Sequence, residues 1–157
     1  MLVIDETGDL KKGTHTVGVQ RQYTGTAGRI ENCQVAVYLT YATRIGHALI
    51  DRALYLPRSW TDDPARCAAA GVPDDIEFAT KPRLAADLIT RARAAGVCAD
   101  WVAGDEVYGD NPYLRNMLVD NKIGYVLTVG CHREVIVGDY YERADHLAAC
   151  LLYTSDA

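Results

Sequence analysis

The sequence predicts an α/β fold: a mixed sheet, antiparallel at its start and parallel afterwards, with helices on its faces. Three observations lead there. Strand-like runs rich in β-branched and aromatic residues fill the first third of the chain, and helical stripes alternate with short apolar runs in the rest. Hydrophobic residues are 49% and charged residues 24% of 157, the balance of one globular domain that can bury a core. No internal repeat or low-complexity linker divides it.

Each element has its own signal. Residues 2–4 are a short buried strand reaching Asp5, and "ETGDLKKGTH" supplies the turn residues of a loop. Residues 32–41 form a long strand, residues 44–46 a turn, and residues 47–57 a second strand that completes a hairpin and stops at Pro57. Asp63 as N-cap, Pro64 at the first helical position and Gly71 behind the alanines mark a short helix. Thr80 caps a longer one, with Leu84, Leu88 and Ala92 on one stripe, Ala85 and Ile89 widening it, and Gly96 ending it. Residues 97–105 read as a strand ending on an acid. Asn111 and Pro112 open a helix carrying Leu114, Met117 and Leu118, and residues 123–129 are a further strand. "REVIVGDYY" reads as one more edge strand and "ERADHLAA" as the start of a last helix. The β-α-β crossovers in the second half require parallel pairing.

Composition narrows the function classes. No run reaches the roughly 18 consecutive apolar residues of a membrane span. The start, "MLVIDETGDLKKG", lacks the basic-then-apolar run of a signal peptide, so a cytoplasmic protein is expected, with its natural beginning further upstream. The last eight residues, "CLLYTSDA", continue no pattern and back-translate to a string resembling a transposon-based sequencing adapter. Residues 150–157 are therefore read as translated adapter; the alternative is a natural strand, given their fair β-propensity. Residues 1–149 are then one partial domain, incomplete at its C-terminus. The net charge of −5 becomes −4 without Asp156, still mildly acidic, which argues weakly against a nucleic-acid-binding module. Its distribution is less hostile: Lys11, Lys12, Arg21, Arg29 and Arg44 face only Glu31 between residues 10 and 49. The cysteines are scattered, with no CxxC pair and no histidine at zinc spacing, and read as reduced thiols.

Two acids occupy equivalent places: Asp5 after "LVI" and Asp105 after "WVAG". If their strands are parallel neighbours, roughly 4.8 Å apart, both carboxylates project into one crevice at the strand ends. Like charges that close repel unless a cation lies between them. Hard oxygen donors favour Mg²⁺ or Mn²⁺, and such ions activate water and stabilise the leaving oxygen of a phosphodiester. Ordinary turn-forming or helix-capping aspartates are the alternative, and spacing alone leaves both open.

The strings "LVIDETGDLKKGTHTVGVQRQYTGTAGRIENCQVAV", "LYLPRSWTDDPARCAAAGVP", "FATKPRLAADLI" and "WVAGDEVYGDNPYLRNML" resemble the catalytic core of bacterial insertion-sequence DDE transposases. These are members of the DDE superfamily of endonucleases. The resemblance implies an RNase H-like mixed sheet and metal-dependent phosphodiester hydrolysis and strand transfer at transposon ends. DNA, as terminal repeats and target, is the implied partner, together with self-association of the full-length protein. It matches the first catalytic, metal-holding acid to Asp5, followed by Thr7 and Gly8, and the second to Asp105, followed by Tyr108 and Gly109. Lys11, Lys12, Arg21, Gln22, Tyr23 and Tyr108 are candidate DNA contacts.

The third acid is where the sequence departs from that pattern. The family's Glu follows the fifth strand on a helix; here Glu142 precedes a plausible helix, but nothing around it gives a motif, and a helix-start carboxylate is the alternative. The third acid is thus expected to be missing and the chain inactive alone. Glu6 and Glu106, beside the main acids, are expected on the opposite sheet face, in supporting or solvent positions. His15 and His47 have generic context, and Trp60 and Trp101 are expected to be packing residues. Two rivals stand beside this reading. "LVIDETG" is similar to the nucleophile strand of haloacid-dehalogenase-like phosphohydrolases, which want a second Asp where Thr7 stands. A non-catalytic fragment that binds DNA or full-length partners as an inhibitor is the other.

Overall fold

The computed structural model describes residues 1–154. Its first half is antiparallel: β1 (Leu2–Leu10), β2 (Gln20–Thr24), β3 (Arg29–Thr43) and β4 (Gly46–Leu54). Three helices follow, α1 (Arg58–Thr61), α2 (Pro64–Ala69) and α3 (Lys81–Ala94). Then come β5 (Trp101–Gly104), α4 (Glu106–Gly109), α5 (Pro112–Asp120) and β6 (Gly124–Leu127). The chain continues through β7 (Glu134–Val137), β8 (Tyr140–Arg143) and α6 (Ala144–Thr154). The main sheet runs β2-β3-β1-β5-β6, with β4 also paired to β3. At 15 residues, β3 is long enough to pair with β2 near its start and β4 along the rest of the same edge. The path β4-β3-β1-β5-β6, three antiparallel strands then two parallel ones, is the expected RNase H-like mixed sheet.

Helix signals held at their caps. Asp63 accepts from the Arg66 amide, Thr80 from the Arg83 amide and Asn111 from the Leu114 amide, each followed by a proline in the first turn. Alternation on the strands sends Leu2, Ile4, Val37, Leu39 and Val102 into one face of the sheet. There α3 contributes Ala85, Leu88, Ile89 and Ala92, and α5 contributes Leu114 and Leu118. Each buried Leu or Ile stabilises the fold by about 1.5–3 kcal/mol.

Several expectations need correction. β1 does not stop at Asp5. It pairs with β3 from Leu2 opposite Tyr41 to Leu10 opposite Cys33, so the expected loop begins only after Leu10. Gly8 permits this, because a Cβ there would lie 2.4 Å from the Thr24 hydroxyl, which donates to the Gly8 carbonyl. β2 is a strand that its polar composition hid; pairing with β3 overrides propensity. β5 starts at Trp101 rather than at residue 97, since the amide of Val97 still bonds back to Ala92 as the chain leaves α3. "REVIVGDYY" is not one edge strand but lies in the β7–β8 hairpin, turning at Gly138 (φ +61°) and forming its own two-stranded sheet. Trp60 packs as expected, fully buried, with its indole donating to the Val19 carbonyl. Trp101 differs: it is half exposed, its ring lying over Gly124. The expected foreign tail falls partly in α6, which is helical to Thr154 rather than strand, and its last three residues lie outside the described part. Among the described residues no helix is long and apolar enough to cross a membrane.

Candidate active site

Parallel β1 and β5 align Leu2, Val3 and Ile4 with Val102, Ala103 and Gly104. Asp5 and Asp105 are the next residues beyond the last paired rung, Ile4 opposite Gly104. Neighbouring strands lie about 4.8 Å apart and partners on one rung share a face. Asp5, one step past Ile4 on β1, faces away from Leu2 and Ile4, Asp105 follows the end of β5, both residues are exposed, and the charge of Asp5 acts on Asp105. Asp5 Oδ1 accepts from the Glu6 amide at 2.8 Å. Asp105 Oδ1 accepts from the Val107 amide at 3.0 Å and so caps α4. Among the described residues neither acid is ion-paired to a Lys, Arg or His. Burial, and then the charges of Glu6 and Asp5, hold the Asp105 carboxyl above its ordinary range, against the lowering effect of the Val107 amide.

The segment "DEVYG" is explained residue by residue. Asp105 caps the turn. Tyr108 is fully buried and donates its hydroxyl to Glu6 Oε2 at 2.6 Å, and burial with the Glu6 charge pushes the phenol well above its ordinary range. Gly109 touches the backbone of Thr128, where a Cβ would come within 1.8 Å of the carbonyl oxygen. Glu6 lies on the opposite face from Asp5, as expected, and its Oε1 accepts from Lys81 Nζ at 2.6 Å.

A family model described as "DDE superfamily endonuclease" matches residues 1–142. The chain belongs to that family. It is also 35% identical, over 132 residues, to a protein of Microchaete diplosiphon described as a probable transposase for insertion sequence element IS701. That match covers 82% of this chain and 31% of the relative, so the chain spans about a third of that protein's length. No solved structure matches it.

Asp5 and Asp105 carry the kind of donor that suits a hard divalent cation. Both are hard oxygen donors, exposed, and paired with no protein cation among the described residues. Among those residues no group of three or more His, Cys, Asp or Glu gathers at metal-holding distance. Glu142 ends up on β8, off the main sheet, with its Oε1 held by the Arg143 amide and His146. Thr7, where a phosphohydrolase would place its second acid, is exposed on β1.

The candidate DNA contacts do not surround the acids. β1 stays extended, so Lys11 lies six residues and about 20 Å beyond Asp5 along the strand. Arg21, Gln22 and Tyr23 lie on β2, opposite Asn32, Glu31 and Ile30 of β3. Asn32, opposite Arg21, ties down the carbonyls of Lys11 and Gly13. Gln22 spends its amide on the Cys33 carbonyl, while Tyr23 is 63% exposed. Tyr108, another candidate contact, is buried, with its hydroxyl bound to Glu6. Lys81 was missed, and no local signal marks it. It stands 75 residues from Glu6 in sequence, and only the fold joins them.

Proposed function

We propose that residues 1–149 form part of the catalytic core of an insertion-sequence transposase, in which Asp5 and Asp105 supply two of three metal-holding carboxylates. A bound Mg²⁺ or Mn²⁺ would supply water or 3′-hydroxyl activation and stabilise the departing oxygen of a phosphodiester. The chain's own part is to hold the two carboxylates just beyond the last paired rung of β1 and β5, anionic and uncompensated, facing solvent where a DNA strand can approach. The β1–β5 register carries this reading. The substrates are transposon ends and target DNA, bound by Lys11, Lys12, Arg21 and Tyr23 away from the chemistry, and the full-length protein self-associates. The third carboxylate comes from elsewhere in the longer protein, and residues 150–157 are foreign to the core. The family match stops at residue 142, before that tail.

Manganese titration followed by electron paramagnetic resonance tests the pair. Wild type takes up Mn²⁺, and Asp5→Asn or Asp105→Asn weakens uptake by roughly 10–100-fold or more. Equal affinity in wild type and Asp5→Asn would sink the metal reading. In a supercoiled-plasmid assay with Mg²⁺ the chain nicks nothing, and robust nicking would show that two acids suffice. A gel shift on terminal repeats with both acids changed to Asn separates DNA binding from catalysis. Binding is weak and salt-sensitive, given the net charge of −5.

A further inference from the structure

Asp105 stands at the head of a helix of four residues, α4. So short a helix has too few internal hydrogen bonds to fix its own orientation. Its neighbours must do so. On one side Gly109 is seated against the Thr128 carbonyl. On the other, the buried Tyr108 hydroxyl reaches Glu6 Oε2, while Glu6 Oε1 takes Lys81 Nζ from the first turn of α3. Both oxygens of one carboxylate are thus committed to two different elements. The Glu6 side chain is only 17% exposed and that of Lys81 only 22%.

We propose that Glu6 is a positioning residue: with Lys81 and Tyr108 it clamps α4 and α3 to β1, and so sets Asp105 beside Asp5. The inference rests on the proposed function only where the divalent cation is concerned. Strand alternation makes it possible, because consecutive residues on β1 face opposite sides. Asp5 offers its oxygens outward, and Glu6, one step on, anchors the partner acid from behind. The second Asp-Glu pair is built differently, since Glu106 follows Asp105 into α4 and is exposed. Hydrogen bonds to an ionised carboxylate are shorter and stronger than neutral ones. Cutting one arm also leaves a half-buried charge short of a partner.

Amide hydrogen exchange on the metal-free 157-residue chain, together with Mn²⁺ titration, tests the clamp in Tyr108→Phe, Glu6→Ala, Glu6→Gln and Lys81→Met. In Tyr108→Phe and Glu6→Ala the Val107 amide, held by the Asp105 carboxylate, exchanges roughly tenfold faster or more. The β1–β3 ladder keeps its rates. Mn²⁺ affinity falls by about 10–100-fold in the same variants. Glu6→Gln keeps one acceptor, for Tyr108, but loses the one Lys81 uses, so it falls between wild type and Glu6→Ala in both. An unchanged Val107 amide in Tyr108→Phe and Glu6→Ala overturns the clamp. So does faster exchange spread evenly over β1, β3 and α4 with no rescue by Gln, the mark of a purely structural role. Should Tyr108→Phe fail to fold, Lys81→Met decides by the same amide: faster Val107 exchange with an unchanged β1–β3 ladder upholds the clamp, and an unchanged Val107 amide overturns it. If wild type takes up no Mn²⁺, the metal reading falls, and the exchange data still judge the clamp.

Discussion

Two regions of the molecule present carboxylates, and they hold them in opposite ways. Where β1, β5 and α4 meet, the supporting bonds are long-range: Glu6 reaches Lys81 and Tyr108 across 75 and 102 residues of sequence. In the β7–β8 hairpin and the start of α6, they are local. Glu142 is held by Arg143 and His146, and Arg143 pairs with Asp145 at 2.7 Å. The acids respond accordingly. Burial and like charges hold Asp105 above the usual carboxylate range, whereas the Arg143 amide and His146 lower Glu142, and Arg143 lowers Asp145 to about 2. An anion with unrelieved repulsion gains from an arriving cation. One already satisfied by its neighbours gains little. On the proposed reading, a divalent cation would therefore gain more at Asp5 and Asp105 than at the hairpin.

The largest expected effect probes how tightly each region is packed. Gly109→Ala drives a Cβ into the Thr128 carbonyl, a backbone atom that cannot step aside. Overpacking of this kind costs about 1–3 kcal/mol or more. Gly138, at the tip of the hairpin, has open space around it, and Ala there meets only the strain of φ +61°, about 1–2 kcal/mol. Urea denaturation of both variants compares them directly. If Gly109→Ala proves no costlier than Gly138→Ala, α4 is not seated as described and the contrast collapses.

What was legible in the sequence follows the range of the forces involved. Caps at Asp63, Thr80 and Asn111 act within three residues, so their signals stand in the string itself. The acids Asp5 and Asp105 could be singled out because each follows an apolar run, although their adjacency needed the pairing of β1 with β5. β2 was hidden because its five residues are polar and gain strand geometry only from β3. The true length of β1 was hidden too, since "ETGDL" carries turn residues that a long antiparallel partner keeps extended. Lys81 could not be read at all: a lysine between a cap and a proline looks like solvent-facing charge until the fold brings Glu6 beneath it. Tyr108 stood out in its motif, yet only the fold shows it as a buried donor to Glu6.

A smaller effect sharpens the electrostatic half of the comparison. Asp105→Asn keeps a good helix cap while removing the charge that Glu6 and Asp5 repel. The folded-state pKa of Asp105 is raised, so the ionised acid works against folding once the pH is above its titration range. At pH 7 without metal, the variant is therefore slightly more stable, the gain kept small by solvent screening at this exposed carboxyl. The gain shrinks as the pH falls through the carboxylate range, where the wild-type acid is protonated as well. Adding Mn²⁺ reverses the order, stabilising wild type and not the variant. Thermal melts at several pH values, with and without Mn²⁺, read all of this.

The smallest effect belongs to Glu142→Gln. Its side chain is half-exposed and its partners lie within four residues, so the amide replaces it with little change in melting temperature. The sign of its pH dependence is nonetheless informative. A lowered pKa contributes stability above the carboxylate range and loses it as the pH falls, the reverse of Asp105. Replacing Glu142 should therefore cost slightly at pH 7 and nothing in acid, while Asp105→Asn gains at pH 7. Mn²⁺ affinity should be the same with and without Glu142. A loss on the scale of Asp105→Asn would mean that the hairpin folds over Asp5 and Asp105 when metal binds, making Glu142 the third acid and ending the distinction between the two regions.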